Sequence, residues 1–234
     1  LDACGATLAT VYYDGPYSSG EKEFRNWWGS DYKGYHTIRD GITYSMNIVA
    51  LRCMADTVTP QLGVEYAERL GITSLVSQDQ TLSTALGGLT KGVSNLELTN
   101  AFAAIANGGT LMKPYMIDHV ENVGGQTVKK FLPSAYGTLM SANDAQFLTH
   151  LMSQVVEIGT GSAMRGTSYT VAGKTGSAEF ETGKETHSWF VGFAPADKPK
   201  VAICVLAEES GSGGAVAAPI ARQVLDRYFA KYGQ

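Results

Sequence analysis

The chain reads Val171-Ala-Gly-Lys-Thr-Gly-Ser-Ala-Glu-Phe180 and, soon after, Ser188-Trp-Phe-Val-Gly-Phe-Ala-Pro195. Both runs are short and are bounded by turn-forming residues, a pattern that predicts neighbouring β-strands. Small and polar residues occupy positions 174–177 of the first run. We interpret this run as a strand that forms one wall of an acyl-transfer site.

Each residue of this wall offers a distinct group. Lys174 supplies a fixed positive charge, and the Thr175 and Ser177 hydroxyls can hold a substrate carboxylate. Gly176 has no side chain, so a substrate backbone can lie flat against the strand. The backbone N–H of Ser177 would point at a developing oxyanion.

A nucleotide-binding P-loop is the competing interpretation of Gly-Lys-Thr. That motif needs a glycine five positions before its final glycine. Ser168 stands five positions before Gly173, so the pattern fails. A P-loop must also open a helix, whereas Gly176-Ser-Ala-Glu-Phe-Glu-Thr-Gly183 predicts a strand that runs into a turn.

The composition excludes several classes of protein. Hydrophobic residues make up 44% of the chain and charged residues 17%, which allows a sizeable core and argues against disorder. The net charge of −4 gives no basic surface for nucleic acid. Apolar runs such as 201–207 are shorter than a membrane span. The three cysteines and four histidines lack ligand spacing, so we expect no metal site.

The first third of the chain holds two candidate serines. We expect residues 1–36 to form an irregular lead-in loop rich in Gly, Ser and Tyr. Within it, Ser19-Gly-Glu-Lys22 matches the S-x-x-K pattern of serine acyl enzymes, but it stands in a turn without apolar periodicity. We therefore interpret Ser19 as a loop residue. Ser45-Met-Asn47 falls between two predicted helices, and a helix cap is its simplest interpretation.

The rest of the chain predicts an α+β fold. Residues 37–165 are mainly helical in this prediction, and residues 166–234 hold antiparallel strands and a terminal helix. The predicted helix starts are Thr37 with Asp40, Ile48 running to Val58, Thr59-Pro60, Ser94 and Ser141, with a hairpin at Gly124-Gly125. The predicted final elements are the strands Tyr169–Glu179, Ser188–Ala194 and Lys200–Glu208 and the helix Ala215–Tyr232.

Taken together, these motifs resemble a known family. Ser45-Met-Asn47 and Lys174-Thr-Gly-Ser177 are similar to the second and third signature motifs of penicillin-binding proteins, the serine transpeptidases of the bacterial wall. The segments 85–94 and 105–114 resemble the family's linking segments. The match covers residues from about 10 to about 229. The first 130 or so residues look like bifunctional enzymes that also carry a glycosyltransferase domain, and the later motifs look more like monofunctional ones; we favour the bifunctional class.

The resemblance implies a fold, a reaction and partners. The fold is that of penicillin-binding proteins and serine β-lactamases, with a helical part and an antiparallel sheet flanked by helices. Peptidoglycan stem peptides and β-lactam antibiotics are the implied partners, and the resemblance implies no cofactor. By resemblance, Ser45 relays a proton to the leaving amine, Asn47 binds substrate and Lys174 tunes Ser45. Thr175 and Ser177 hold the terminal carboxylate, and Gly176 lies between them.

One family motif is missing from the expected place. The nucleophilic S-x-x-K should precede Tyr12-Tyr-Asp-Gly-Pro16, so we expect it upstream of Leu1 together with two strands of the sheet. The N-terminal remainder of the same protein is thus an expected partner, and the resemblance places it at the extracytoplasmic face of the membrane, anchored outside this chain. We accordingly predict that these 234 residues do not fold and react alone.

Two alternatives stay open. A D,D-carboxypeptidase or serine β-lactamase shares all these groups and differs in whether water takes the acyl group. A non-catalytic β-lactam sensor or pseudoenzyme would bind without turnover. The complementary chemistry of Lys174 and Ser45 places them in one cleft, so we predict less than about 6 Å between the ammonium and the hydroxyl.

Overall fold

The structure, a computed structural model, describes residues 3–233. Its centre is an antiparallel sheet of three strands, in the spatial order β11-β10-β9. The strands are β9 (Ala172–Ala178), β10 (His187–Ala194) and β11 (Val201–Ala207). The three predicted strands are confirmed; β9 and β11 are shorter than predicted by one to three residues at each end, and β10 begins one residue earlier, at His187. In the register, Lys174 lies opposite Val191 and Ser177 lies opposite Ser188.

Helices cover both faces of this sheet. The helices are α1 (Ile38–Thr43), α2 (Asn47–Cys53), α3 (Pro60–Arg69), α4 (Asn95–Ala106), α5 (Ala142–Glu157) and α6 (Ala217–Tyr232). On one face, Phe190 packs with Leu225 of α6, and on the other face Phe193 packs with Met152 of α5. Burying large apolar side chains on both faces makes β10 the centre of the core. The α+β fold is confirmed.

Local sequence signals place the helices as expected. Thr37 and Asp40 form a reciprocal capping box at α1, and Ser94 does the same with Glu97 at α4. Ser141 accepts a hydrogen bond from Asp144 at the start of α5. These side chains satisfy backbone N–H groups that a helix start leaves without partners.

The second helix differs in its last turn. We predicted one helix from Ile48 to Val58, whereas α2 starts at Asn47 and continues beyond Cys53 as a π-helical turn, Met54–Val58. Thr59 then adopts a φ of 72° and caps α3. The change of helix type widens the backbone just before this abrupt turn.

The described part of the lead-in is not an irregular loop, and this prediction was wrong. It holds β1 (Val11–Asp14), β2 (Tyr17–Ser19), β3 (Lys22–Phe24) and β4 (Gly34–Thr37). β1 pairs with β4, and β2 pairs with β3 as a hairpin. The strands are short and interrupted by turn residues, so local propensity does not reveal pairings that tertiary contacts stabilise.

Short strands also join α4 to α5. They are β5 (Thr110–Met112), β6 (His119–Glu121), β7 (Thr127–Lys130) and β8 (Ala135–Thr138). β6 and β7 form the hairpin predicted around Gly124-Gly125, and β5 pairs with β8. The predicted mainly helical part, 37–165, therefore also contains strands.

Candidate active site

Ser45 occupies a strained turn between α1 and α2. Its φ of 55° lies in the left-handed region, which is uncommon for a residue with a side chain. Met46 holds the turn, because its side chain is buried and its N–H donates to the Gly41 carbonyl at 2.8 Å. Such strain persists only where the surrounding structure enforces it, as it does at functional sites.

Lys174 reaches across from β9 to this turn. Its ammonium Nζ donates to the Ser45 Oγ at 2.9 Å and to the Thr175 carbonyl at 2.8 Å. The two side chains are 129 residues apart in the sequence, so only the tertiary fold brings them together. Their predicted separation of less than about 6 Å is thus met.

The charge on Lys174 is less permanent than the sequence suggested. Burial disfavours the ammonium and lowers the pKa of Lys174 from its usual 10.5 to about 8. Lys174 is mostly protonated at neutral pH and becomes mostly neutral in mildly alkaline solution.

The hydroxyl of Thr175 is held from outside the motif. Thr175 is buried, and its Oγ1 lies 2.6 Å from the Oγ1 of Thr160, which follows α5. The Thr160 N–H donates to the Thr43 carbonyl at 3.4 Å. A Cβ on Gly159 would lie 2.1 Å from that carbonyl oxygen, so glycine permits the close approach. Thr160 therefore links the wall strand to the helical part.

Our sequence reasoning missed Thr160. The available signal is Gly159-Thr-Gly161, a hydroxyl residue between two glycines at the end of a helix. Read locally, this pattern indicates only a helix terminus. Its contact with Thr175 depends on how α5 packs against β9.

Ser177 and Gly176 complete the wall. Ser177 is exposed, and its Oγ accepts a hydrogen bond of 3.2 Å from the Gly213 N–H. A Cβ on Gly176 would lie 3.3 Å from the Cβ of Trp189, which is tight but not prohibitive. The structure thus places Thr175 and Ser177 on one face of β9, as the alternation of a strand requires.

The side chains of Asn47 and Lys174 form hydrogen bonds to different residues. The Asn47 Nδ2 donates to the Arg25 carbonyl at 2.9 Å, and the residue opens α2. This bond fixes the amide plane near the Ser45 turn, and its role toward substrate stays a prediction.

Ser19 and Lys22 lie in the β2–β3 hairpin, as directly paired residues. Lys22 is exposed, and its Nζ donates to the Ser83 Oγ at 3.1 Å. A nucleophile and its base need to share one face of a helix start in this pattern, and a hairpin does not provide that arrangement. Ser19 is thus the last residue of strand β2 and not a loop residue as predicted, and its exclusion as the nucleophile stays a prediction.

Other kinds of site find little support. Among residues 3–233, no group of three or more His, Cys, Asp or Glu side chains is arranged to hold a metal ion. Within the same range, no helix combines the length and apolar character needed to cross a bilayer.

The fold and the site define a class of protein. An enclosed lysine on a sheet strand beside a serine in a strained turn, next to two further hydroxyls, is the arrangement of serine-type acyl-transfer enzymes that carry S-x-N and K-T-G motifs. The chain belongs to the penicillin-binding protein transpeptidase domain family, whose model matches residues 6–226.

Individual relatives agree with this assignment. Over 190 residues the chain is 33% identical to penicillin-binding protein 1F of Bacillus subtilis (strain 168), covering 77% of this chain and 26% of that protein. It is similar to the D,D-transpeptidase domain of a peptidoglycan glycosyltransferase from Eggerthella lenta, with a TM-score of 0.85 and 26% identity. That match covers 97% of this chain and 61% of the solved one.

A further solved structure shows a relative with bound antibiotic. It is the ceftriaxone acyl-enzyme of penicillin-binding protein A from M. tuberculosis, with a TM-score of 0.81 and 25% identity. The match covers 95% of this chain and 56% of that one. The chain therefore spans about a quarter of the length of the curated relative and a little over half of the solved ones.

Proposed function

We propose that this chain forms part of a peptidoglycan D,D-transpeptidase that cross-links stem peptides by acyl transfer from D-Ala-D-Ala. The observation that carries the proposal is the 2.9 Å contact between the Lys174 ammonium and the Ser45 hydroxyl. A hydroxyl that accepts a hydrogen bond keeps its own proton available for donation. Ser45 can therefore deliver a proton to the leaving D-Ala amine, and Lys174 can replace that proton.

The wall strand would bind the other end of the substrate. Thr175 and Ser177 hold the terminal carboxylate by charge-assisted hydrogen bonds. The Ser177 N–H would stabilise the oxyanion, a contribution of about 3–4 kcal/mol per donor. Asn47 would contact the substrate backbone, and Gly176 keeps the strand free of a side chain between the two hydroxyls.

The nucleophile is proposed to come from elsewhere in the same protein. The described residues hold the S-x-x-K pattern of Ser19 and Lys22 in a hairpin, and the chain covers only 61% of a solved transpeptidase domain. We propose that an N-terminal segment supplies the nucleophilic serine, its lysine and further sheet strands. The attacking serine would form an acyl-enzyme that an acceptor amine then resolves.

A relative supports the proposed ligands, and the proposed substrate supports the location. Penicillin-binding protein A of M. tuberculosis forms an acyl-enzyme with ceftriaxone, which supports β-lactams as ligands of this site. Peptidoglycan lies outside the cytoplasmic membrane, so the proposed location is the extracytoplasmic face of that membrane. The contacts of Ser45 and Lys174 support proton transfer between side chains, and the proposal requires no cofactor.

Labelling with a fluorescent penicillin tests this function. We expect the full-length protein to be labelled covalently, and residues 1–234 expressed alone to remain unlabelled and to lack a cooperative unfolding transition. An unlabelled full-length protein would contradict the acyl-transfer proposal and favour a pseudoenzyme. If residues 1–234 alone fold cooperatively and are labelled, Ser19 would instead be the nucleophile. Supplying an acceptor amine distinguishes transpeptidase from carboxypeptidase or β-lactamase, because only a transpeptidase forms the amide product.

A further inference from the structure

We propose that the connection between β11 and α6, residues 208–216, directs the Ser177 hydroxyl toward the substrate carboxylate. Ser188 and Gly213 are the positioning residues, and neither contacts the substrate. This inference rests on the proposed function, because it concerns the same carboxylate site. It adds a set of residues that lies behind the wall strand.

The first step is the direction of the Ser177 hydroxyl. Its Oγ accepts the Gly213 N–H at 3.2 Å, so one lone pair is engaged on the side of the connection. A serine hydroxyl has one proton and two lone pairs in a roughly tetrahedral arrangement. With a lone pair turned toward Gly213, the proton is free to turn toward the exposed side. Ser177 is thereby prepared to donate to a carboxylate.

The second step is the position of Gly213. This residue is buried, and a Cβ on it would lie 2.3 Å from the carbonyl oxygens of both Gly176 and Trp189. Such distances are prohibitive for a carbon atom, so only glycine lets the connection lie against the backbones of β9 and β10. The absence of a side chain brings the Gly213 N–H within reach of Ser177.

The third step is the anchor that holds the connection in place. Ser188 is fully buried and is the cross-strand neighbour of Ser177. Its Oγ donates to the Ser212 carbonyl at 3.0 Å and accepts from the Ala217 N–H at 3.0 Å. One hydroxyl therefore joins the sheet to both ends of the turn that contains Gly213. Without it, the buried Ala217 N–H loses its partner, which is costly inside a protein.

The test compares two substrates in the full-length protein. Benzylpenicillin presents a carboxylate, whereas its methyl ester keeps the reactive β-lactam and lacks the charge. Ser188→Ala should lower the second-order acylation rate constant for the acid about tenfold, the scale of one hydrogen bond to a charged group. The rate constant for the ester should stay within twofold. Ser210→Ala is the matched control, because Ser210 lies in the same connection and its hydroxyl donates to the carbonyl of Ala207, the last residue of β11.

A double variant separates positioning from general damage. The acid-to-ester ratio is the acylation rate constant for benzylpenicillin divided by that for its methyl ester. In a Ser177→Ala background, Ser188→Ala should not lower this ratio further, because the hydroxyl that Ser188 positions is already absent. The proposal would be overturned if Ser188→Ala lowered the acylation rate constants for acid and ester equally. It would also be overturned if the effects of the two substitutions on the acid rate constant were fully additive in the double variant. If Ser188→Ala does not fold, Ser188→Cys keeps a weaker hydrogen-bonding group and should show a reduced acid-to-ester ratio. An unchanged ratio in this variant would also overturn the proposal.

Failure of the proposed function gives a different result. If the wild-type full-length protein is acylated by neither the acid nor the ester, the transpeptidase proposal fails before any variant is compared. If the wild type reacts with both and Ser188→Ala matches it, the function stands and the positioning role is wrong.

Discussion

The two edges of the central sheet differ in chemistry although they flank the same strand. The β9 edge carries a lysine and hydroxyls, and each of these polar groups has a partner from another segment. The β11 edge reads Val201-Ala-Ile-Cys-Val-Leu-Ala207, and every one of its residues is partly exposed. The β9 edge is polar and its side chains are hydrogen-bonded to other segments, whereas the β11 edge is apolar and partly exposed.

The side chains at the two edges of the sheet are held by different kinds of interaction. Hydrogen bonds at the β9 edge fix the orientations of Lys174, Thr175 and Ser177. Residues of β11 such as Ile203 and Val205 instead pack against the core that α6 completes. An apolar edge strand is normally paired or covered, because its free N–H and C=O groups invite other strands. We expect changes at the first edge to affect reactivity and changes at the second to affect stability.

The largest expected effect is at the β9 edge. Lys174→Ala removes the ammonium that contacts Ser45, and it should lower the acylation rate of the full-length protein by a fluorescent penicillin at least about 100-fold. Lys200→Ala, an exposed lysine just before β11, is the matched control and should stay within twofold of wild type.

Ser19→Ala gives a second control for the same measurement. Ser19 lies in the β2–β3 hairpin, so labelling should be nearly unchanged. Loss of labelling in this variant would mean that Ser19 is the nucleophile. The central catalytic group would then lie in the β2–β3 hairpin and not at either edge of the sheet. Equal losses in Lys174→Ala and Lys200→Ala would show that lysine removal acts through general electrostatics.

The next effect concerns the β11 edge. In the full-length protein, Ile203→Ala should lower the free energy of unfolding by about 2 kcal/mol, near the lower end for such a truncation because the side chain is only partly buried. Acylation at a temperature where the variant is folded should stay within twofold of wild type. Urea denaturation and labelling together check this. A large drop in the acylation rate without a drop in stability would show that the β11 edge also contributes to reactivity, which contradicts this prediction.

The sequence predicted the strands of both edges and the proximity of Lys174 to Ser45, but not the partner of Thr175. Strands β9, β10 and β11 followed from short apolar runs between turns, and Thr37 and Ser94 followed from local capping patterns. Thr160 was missed because its contact with Thr175 depends on packing between segments that local patterns do not describe. The lowered pKa of Lys174 was missed for the same reason, since desolvation depends on the folded environment.

A smaller effect is expected where α5 meets the β9 edge. Thr160→Val keeps the shape of the side chain and removes the hydroxyl that contacts Thr175, so acylation should fall roughly fivefold, about 1 kcal/mol, as for one hydrogen bond. Thr149→Val is the matched control, because that hydroxyl bonds the Ala145 carbonyl within α5. Acylation kinetics of the two variants decide the matter, and equal losses would assign the effect to α5 rather than to Thr175.

The smallest effect is a dependence on pH that only the β9 edge should show. The second-order acylation rate constant reports the protonation state of the free enzyme. With the pKa of Lys174 at about 8, that rate constant should be halved near pH 8 relative to neutral pH, and it should fall further as the ammonium is lost. In Lys174→Arg this alkaline decline should disappear, because an arginine stays protonated throughout the range.

Stability should move in the opposite direction over the same range, which separates loss of charge from alkaline unfolding. Between pH 8 and the usual lysine pKa of 10.5, the unfolded chain holds a proton on Lys174 that the folded chain has released. Stability rises with pH wherever the unfolded state binds more protons, so the Lys174 contribution to the free energy of unfolding should increase across this window. Comparing urea denaturation of wild type and Lys174→Ala at pH 7.5 and pH 9.5 isolates that contribution. A parallel fall of activity and stability would show that the alkaline decline arises from unfolding and not from Lys174.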